Sequence, residues 1–212
     1  MAAGGTPRQG DLFADLPGGG AGGGAGAQAP DALPLLARQL RDWQERLAAF
    51  QAPRFEAVAR GAALSAGQID LFNGMALGPA ATVQRLDPLA LAARHLQFWR
   101  WPEGGPGEAA LYFVLDRPPH LEAPLLLYVG ETAQAERRWK GEHDCKGYLA
   151  AYGEALQQAQ LGSGLSIRFW RDAPAELKAR RALEQALIRH WLPPFNKETR
   201  GRWATPFTAD PG

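Results

Sequence analysis

The chain has 212 residues, 46% of them hydrophobic, with seven tryptophans, one cysteine and a formal net charge of +1. That length holds one compact domain with appendages or two small ones; a single cysteine excludes an intramolecular disulfide and a multi-cysteine zinc site and fits a reducing, cytoplasmic setting. No apolar run approaches the roughly 18–20 residues of a membrane span, and the first residues lack a basic-then-apolar signal pattern, so no membrane partner is expected.

Charge is unevenly placed. From Thr132 to Trp203 there are 13 Lys/Arg against 8 Asp/Glu, whereas the remainder has 10 against 14. A basic second half fits a polyanionic partner, and ordinary helix-surface charge fits the same count.

Residues 1–30 are rich in Gly, Ala and Pro. Such a segment buries too little apolar surface to offset the entropy of ordering, so a disordered tail is expected. Asp31 can cap a helix opening near Pro34. Leu33, Leu36, Leu40, Trp43, Leu47 and Phe50 then recur at alternating spacings of three and four, one apolar stripe on a helix. The stripe is too short for a sustained coiled coil, so this helix (31–53) is expected to pack on the rest of the protein and to end at Pro53. Residues 54–88 read as a loop-rich connector. From Pro88 a short apolar segment reaches Trp101, and Trp99, Trp101 and Pro102 are placed to cover a sheet edge.

Ala109 to Leu115 and Leu125 to Val129 are apolar runs of strand length, and Arg117-Pro118-Pro119 between them forbids one helix. They form a hairpin whose unbroken apolarity predicts burial on both faces. Strict alternation puts Tyr112 on a face with Ala110 and Val114, and Tyr128 with Leu126; the register between the tyrosines stays open. Helices follow from Thr132 to about His143 and from Tyr148 to Gln160. A third strand spans Leu165 to Trp170, and a last helix starts at Asp172-Ala173-Pro174. Leu177, Leu183, Leu187, Ile188 and Trp191 lie on one broad face of that helix, and Pro193-Pro194 ends it. The sum is an α+β domain with a small three-stranded antiparallel sheet flanked by helices, preceded by an N-terminal helix and a tail.

Glu184 stands on the apolar stripe of the last helix, where a carboxylate is costly unless a cation or a metal meets it. A salt bridge to Arg180 or Arg181 is the structural alternative. Gly130 ends a strand and Thr132 opens a helix, a joint whose free amides can hold a phosphate. Arg137 and Arg138 lie about two turns on, and a guanidinium grips two phosphate oxygens at once. His143, Asp144 and Cys145 are adjacent, and adjacent residues rarely converge on one ion.

These phrases together resemble the GIY-YIG nuclease domain. Its first signature word corresponds to Ala110-Leu111-Tyr112 and its second to Tyr128-Val129-Gly130; its arginine falls on Arg138, and its helical glutamate with a Pro-x-Asn ending on Glu184 and Pro194-Phe195-Asn196. Ala110 replaces the usual glycine, and Glu142 stands where many members carry histidine. The resemblance covers about 109–197 and implies a nuclease domain at 89–203, followed by a C-terminal tail at 204–212. It further implies DNA phosphodiester hydrolysis with one Mg²⁺ or Mn²⁺ held by Glu184. Tyr112 would be general base or position the water, Arg138 would stabilise the phosphate charge, and Tyr128 and Asn196 would support the geometry. Repair or recombination is the implied setting.

Two islands, Gln9-Gly10-Asp11-Leu12-Phe13 and Gln68-Ile69-Asp70-Leu71-Phe72, share one pattern. The second resembles the bacterial sliding-clamp-binding pentapeptide, with Gln68, Leu71 and Phe72 as anchors. The alternative to a nuclease is therefore an inactive nuclease fold that binds DNA or the sliding clamp.

Overall fold

The computed structural model describes residues 34–67, 78–97, 108–134 and 144–207. Within them helix α1 spans Pro34–Gly67 and α2 Pro79–Arg85; strand β1 spans Ala110–Asp116 and β2 Leu125–Thr132; helix α3 spans Asp144–Gln158, strand β3 Ser166–Trp170 and helix α4 Leu177–Trp191. A 3-10 turn at Arg200–Arg202 follows. The protein is α+β, and its sheet is antiparallel in the order β2-β1-β3. No helix of the described residues is long and apolar enough to cross a membrane.

Every residue of β1 is buried, as its unbroken apolar run requires for a central strand covered on both faces. Ala110, Tyr112 and Val114 pack with Leu40, Trp43 and Leu47 of α1 and with Leu149 and Tyr152 of α3. Leu111, Phe113 and Leu115 pack on the opposite side with Leu183, Leu187 and Trp191 of α4, with Val83 of α2, and with Phe55 and Val58 of α1. Helix α1 thus serves both layers, its first half on one face of the sheet and its second half on the other.

That course requires α1 to continue through Pro53, where the sequence predicts its end. A proline inside a helix costs about 3 kcal/mol. Beyond it, Phe55 and Val58 are buried, each contributing about 1.5–3 kcal/mol, and the Phe55 ring meets Trp191 at 4.5 Å between centroids. Arg54 also donates to Phe50 O at 2.6 Å and to His190 O at 3.0 Å, tying the irregular turn to α4. Tertiary burial therefore outweighs the local penalty, and part of the expected connector is helical.

The last helix begins later than expected. Glu176 caps it, its carboxylate accepting from the N–H groups of Lys178 at 2.9 Å and Ala179 at 2.8 Å. Pro174 and Ala175 stay outside because their carbonyls accept from Arg180 Nη1, both at 2.9 Å. Leu177 consequently falls in the first turn and is 46% exposed, not part of the buried face. Helix α3 starts earlier than expected, at Asp144, and stops before Gln160, which adopts a left-handed conformation at φ 52°.

Both outer strands are met by other segments of the chain. The edge of β3 pairs with Arg94, whose N–H donates to Ile167 O at 2.8 Å and whose carbonyl accepts from Ile167 N at 2.9 Å. The buried Arg168 guanidinium donates to Leu89 O and Leu91 O, both at 2.6 Å, holding that segment in place. The predicted cover was Trp99, Trp101 and Pro102, which lie outside the described residues. On the other side, β2 is met by side chains. Gln51 of α1 accepts from Leu126 N at 2.8 Å and donates to Leu126 O at 3.0 Å and Trp191 O at 3.1 Å. Phe195 N donates to Leu127 O at 3.0 Å. Such covering blocks pairing with another chain.

At the far end of β1 the fold buries a second polar network. Asp116 accepts from Tyr152 Oη at 2.6 Å, Ser163 Oγ at 2.8 Å and Gly164 N at 2.7 Å, and Gln44 donates to the same tyrosine at 2.6 Å. Burial raises the Asp116 carboxyl above its ordinary 3.8, against the opposing pull of those hydrogen bonds. The folded state then holds a proton that the unfolded state has released, so Asp116's contribution to stability falls as pH rises. The fall opens near 3.8 and ends once pH exceeds the raised folded value. Urea midpoints of wild type and Asp116→Asn, taken across this range, should show the wild-type advantage shrinking with rising pH. A constant difference would contradict the assignment.

Candidate functional site

The site is built on the last residues of β2. Val114 pairs with Tyr128 and Leu115 with Leu126, so Leu127 is an extra residue in β2, a β-bulge. Strict alternation predicts Tyr128 on a face with Leu126. The bulge turns it over instead: Leu126 and Val129 pack towards α4, whereas Leu127 and Tyr128 pack towards α3, the side that holds Tyr112. The two tyrosine rings stack with centroids 5.8 Å apart and an interplanar angle of 26°. Tyr112 is fully buried and Tyr128 half-buried.

Gly130 stands directly opposite Tyr112 across the ladder. A Cβ at Gly130 would collide with the Tyr112 ring at Cζ, Cε1 and Oη. Absence of a side chain at 130 is thus what lets the ring lie over β2, and the requirement is one of space, not of backbone conformation. Gly130→Ala should displace the ring and destabilise the protein by about 1–3 kcal/mol, the usual cost of overpacking. Thermal unfolding checks this; an unchanged midpoint would contradict the close approach.

Glu184 reaches the same strand from α4. Its Oε1 accepts from the Glu131 N–H at 2.9 Å, which fixes the carboxylate at the edge of β2 one residue after Gly130. Arg180 and Arg181, the alternative partners for Glu184, both turn to the Glu131 carboxylate. Arg180 Nε donates to Oε2 at 2.9 Å from a buried position, and Arg181 Nε lies 3.6 Å from Oε1. Glu131 is thereby paired with two guanidiniums.

Asn196 is buried, and its amide clamps β2 in both directions. Oδ1 accepts from Val129 N at 2.9 Å and Nδ2 donates to Val129 O at 2.8 Å. It therefore holds the strand between Tyr128 and Gly130. Thr132 is the buried last residue of β2, and its Oγ1 accepts from Gln134 N at 3.0 Å, a local side-chain turn; the helix expected from Thr132 to about His143 lies mostly outside the described residues.

The structure thus groups Tyr112, Tyr128, Gly130, Thr132, Glu184 and Asn196 around one end of β2. Arg138 lies outside the described residues, as do Arg137, Glu142, His143, the clamp-like residues Gln68, Leu71 and Phe72, and the first island. Cys145 is buried in the core. Sequence reading missed Glu131 and Gln51 as parts of this arrangement, and it offered Arg180 as a partner of Glu184 where the structure pairs it with Glu131. Gln51 had a signal: Gln44 and Gln51 stand one heptad apart beside the apolar stripe of α1, and both are buried.

Among the described residues no three His, Cys, Asp or Glu side chains converge as a metal cage. One carboxylate at a site is enough for an ion of the Mg²⁺ type, which keeps several waters and takes one or two protein carboxylates together with substrate phosphate.

Comparison with family models, with curated proteins and with solved structures finds no match to this chain.

Proposed function

We propose that the protein is an endonuclease of the GIY-YIG type, hydrolysing DNA phosphodiester bonds with one bound Mg²⁺ or Mn²⁺. The observation that carries this reading is the placement of Glu184: its carboxylate is pinned by the Glu131 N–H beside Gly130, on the strand where Tyr112 and Tyr128 stack. A bound divalent ion would supply Lewis acidity to the phosphate and acidify water. The residues of the chain would do the rest. Glu184 would hold the ion, Tyr128 would face the solvent side of the tyrosine pair, and the buried Tyr112 would position it. Asn196 would keep the Val129 segment in register, and Arg138 would meet developing phosphate charge. The test is cleavage of end-labelled duplex, branched and single-stranded DNA with Mg²⁺ or Mn²⁺, and failure to cut any form overturns the reading.

The full burial of Tyr112 favours a second reading, in which the same fold grips DNA, or the sliding clamp through Gln68, Leu71 and Phe72, without cutting. Retention of DNA with no product in the same assay would select it.

A further inference from the structure

A cavity of about 400 Å³, whose lining includes none of the residues grouped around Glu184, opens between α1 and the 3-10 turn that follows Asn196. It is lined by Arg46, Phe50, Arg202, Trp203 and Ala204. Its floor is fixed from several sides. The Trp203 indole donates to Leu192 O at 2.6 Å, at the end of α4. Phe50 meets Trp203 edge-on at 5.4 Å between centroids. Arg54 lies against the Phe50 ring at 3.5 Å from its centroid, and Arg202 stands 5.6 Å from the same centroid. Two guanidiniums therefore face one aromatic ring, and a third, that of Arg46, lines the same cavity.

No carboxylate lines this cavity. Among the described residues neither Arg46 nor Arg202 makes an ion pair, and Asp42, one turn before Arg46, faces Arg38 at 3.9 Å. Arg54 is held below its ordinary range by burial and by the repulsion of Arg202. Like charges gathered without a counter-charge are relieved by an anion, and guanidiniums over aromatic rings are the usual surface for nucleic-acid strands. The cavity is also larger than one phosphate group needs and falls within the range of ligand-sized pockets.

Position specifies the anion further. Gln51, next to Phe50, holds β2 at Leu126, and Glu184 holds the same edge at Glu131. Both points lie on the same outer edge of β2, so the helix that carries Phe50 and the helix that carries Glu184 flank one strand. We propose that the Arg46–Phe50–Arg202 cavity is an anchoring site for the phosphodiester backbone of a nucleic-acid strand flanking the Glu184 site. The anchoring itself stands on the cavity, and only the course of the strand towards Glu184 rests on the nuclease reading.

Binding of a fluorescein-labelled 15-residue thymidine oligonucleotide, followed by anisotropy in EDTA, tests this without any cleavage. Arg46→Ala/Arg202→Ala should weaken binding about tenfold or more at low salt. The slope of log affinity against log salt should become shallower by about 1.4, the value for two lost phosphate contacts on a single strand. Arg46→Lys/Arg202→Lys should recover most of the affinity, and both variants should melt like wild type because the two arginines are exposed. Wild-type affinity and slope in the alanine variant would overturn the proposal. Thymidine monophosphate binding as tightly as the oligonucleotide would overturn the strand assignment. Cleavage by the wild type is followed in parallel: oligonucleotide binding without cleavage would overturn the nuclease reading and leave the anchor standing, whereas cleavage together with wild-type affinity in the alanine variant would overturn the anchor alone.

Discussion

Glu184→Ala should lower DNA cleavage in Mg²⁺ by on the order of 10³-fold or more, the scale of losing a group aimed at transition-state charge. Two effects contribute, and a second variant separates them. Alanine removes the negative charge and also the acceptor of the Glu131 N–H. Glu184→Gln keeps an amide oxygen for that N–H and removes only the charge. If the carboxylate holds the ion, both variants should be inactive, and Glu184→Gln should melt close to wild type. If Glu184 only anchors β2, the glutamine variant should cut nearly as well as wild type, and the assignment of metal-binding to this residue would fall. Initial rates on labelled DNA, with melting curves alongside, decide between the two.

Gln51→Leu should be the most destabilising of the changes considered, by about 3–5 kcal/mol. Leucine has nearly the right volume, so the cost is not a cavity. Three buried backbone groups lose their partner at once: the N–H and carbonyl of Leu126 and the carbonyl of Trp191. Each orphaned group costs about 1–3 kcal/mol. Against a domain stability of roughly 5–15 kcal/mol, such a loss brings the protein near the point of unfolding. Urea denaturation at neutral pH measures it, and a shift under about 1 kcal/mol would show that these bonds contribute little.

Much of the fold was legible because its signals are local. The apolar runs of β1 and β2, broken by Arg117-Pro118-Pro119, specified a hairpin, and their lack of alternation specified two covered faces. What escaped depends on distant partners. Pro53 reads as a helix end because its penalty is local, whereas the compensation comes from Trp191 against Phe55, far along the chain. Asp172-Ala173-Pro174 is a good start by composition, but Arg180 holds Pro174 and Ala175 outside the helix and leaves the cap to Glu176. The bulge at Leu127 is invisible to a period-two pattern, yet it decides which face Tyr128 occupies. Glu184 stood out by its position on the stripe, but its described anchor is a backbone N–H on β2, three elements back, which no spacing rule contains.

The covering of β2 by side chains has a consequence for the order in which the protein is made. Gln51 precedes Leu126 by 75 positions, whereas Asn196 follows Val129 by 67. On a ribosome the first half of the cover is already synthesised when β2 appears, and the second half is still to come. At roughly 5–20 residues per second, the Val129 stretch waits about 3–13 s for its clamp. During that interval Gln51 is the only one of the two side-chain clamps available to the strand, and Trp191, which Gln51 also meets, is likewise still to come.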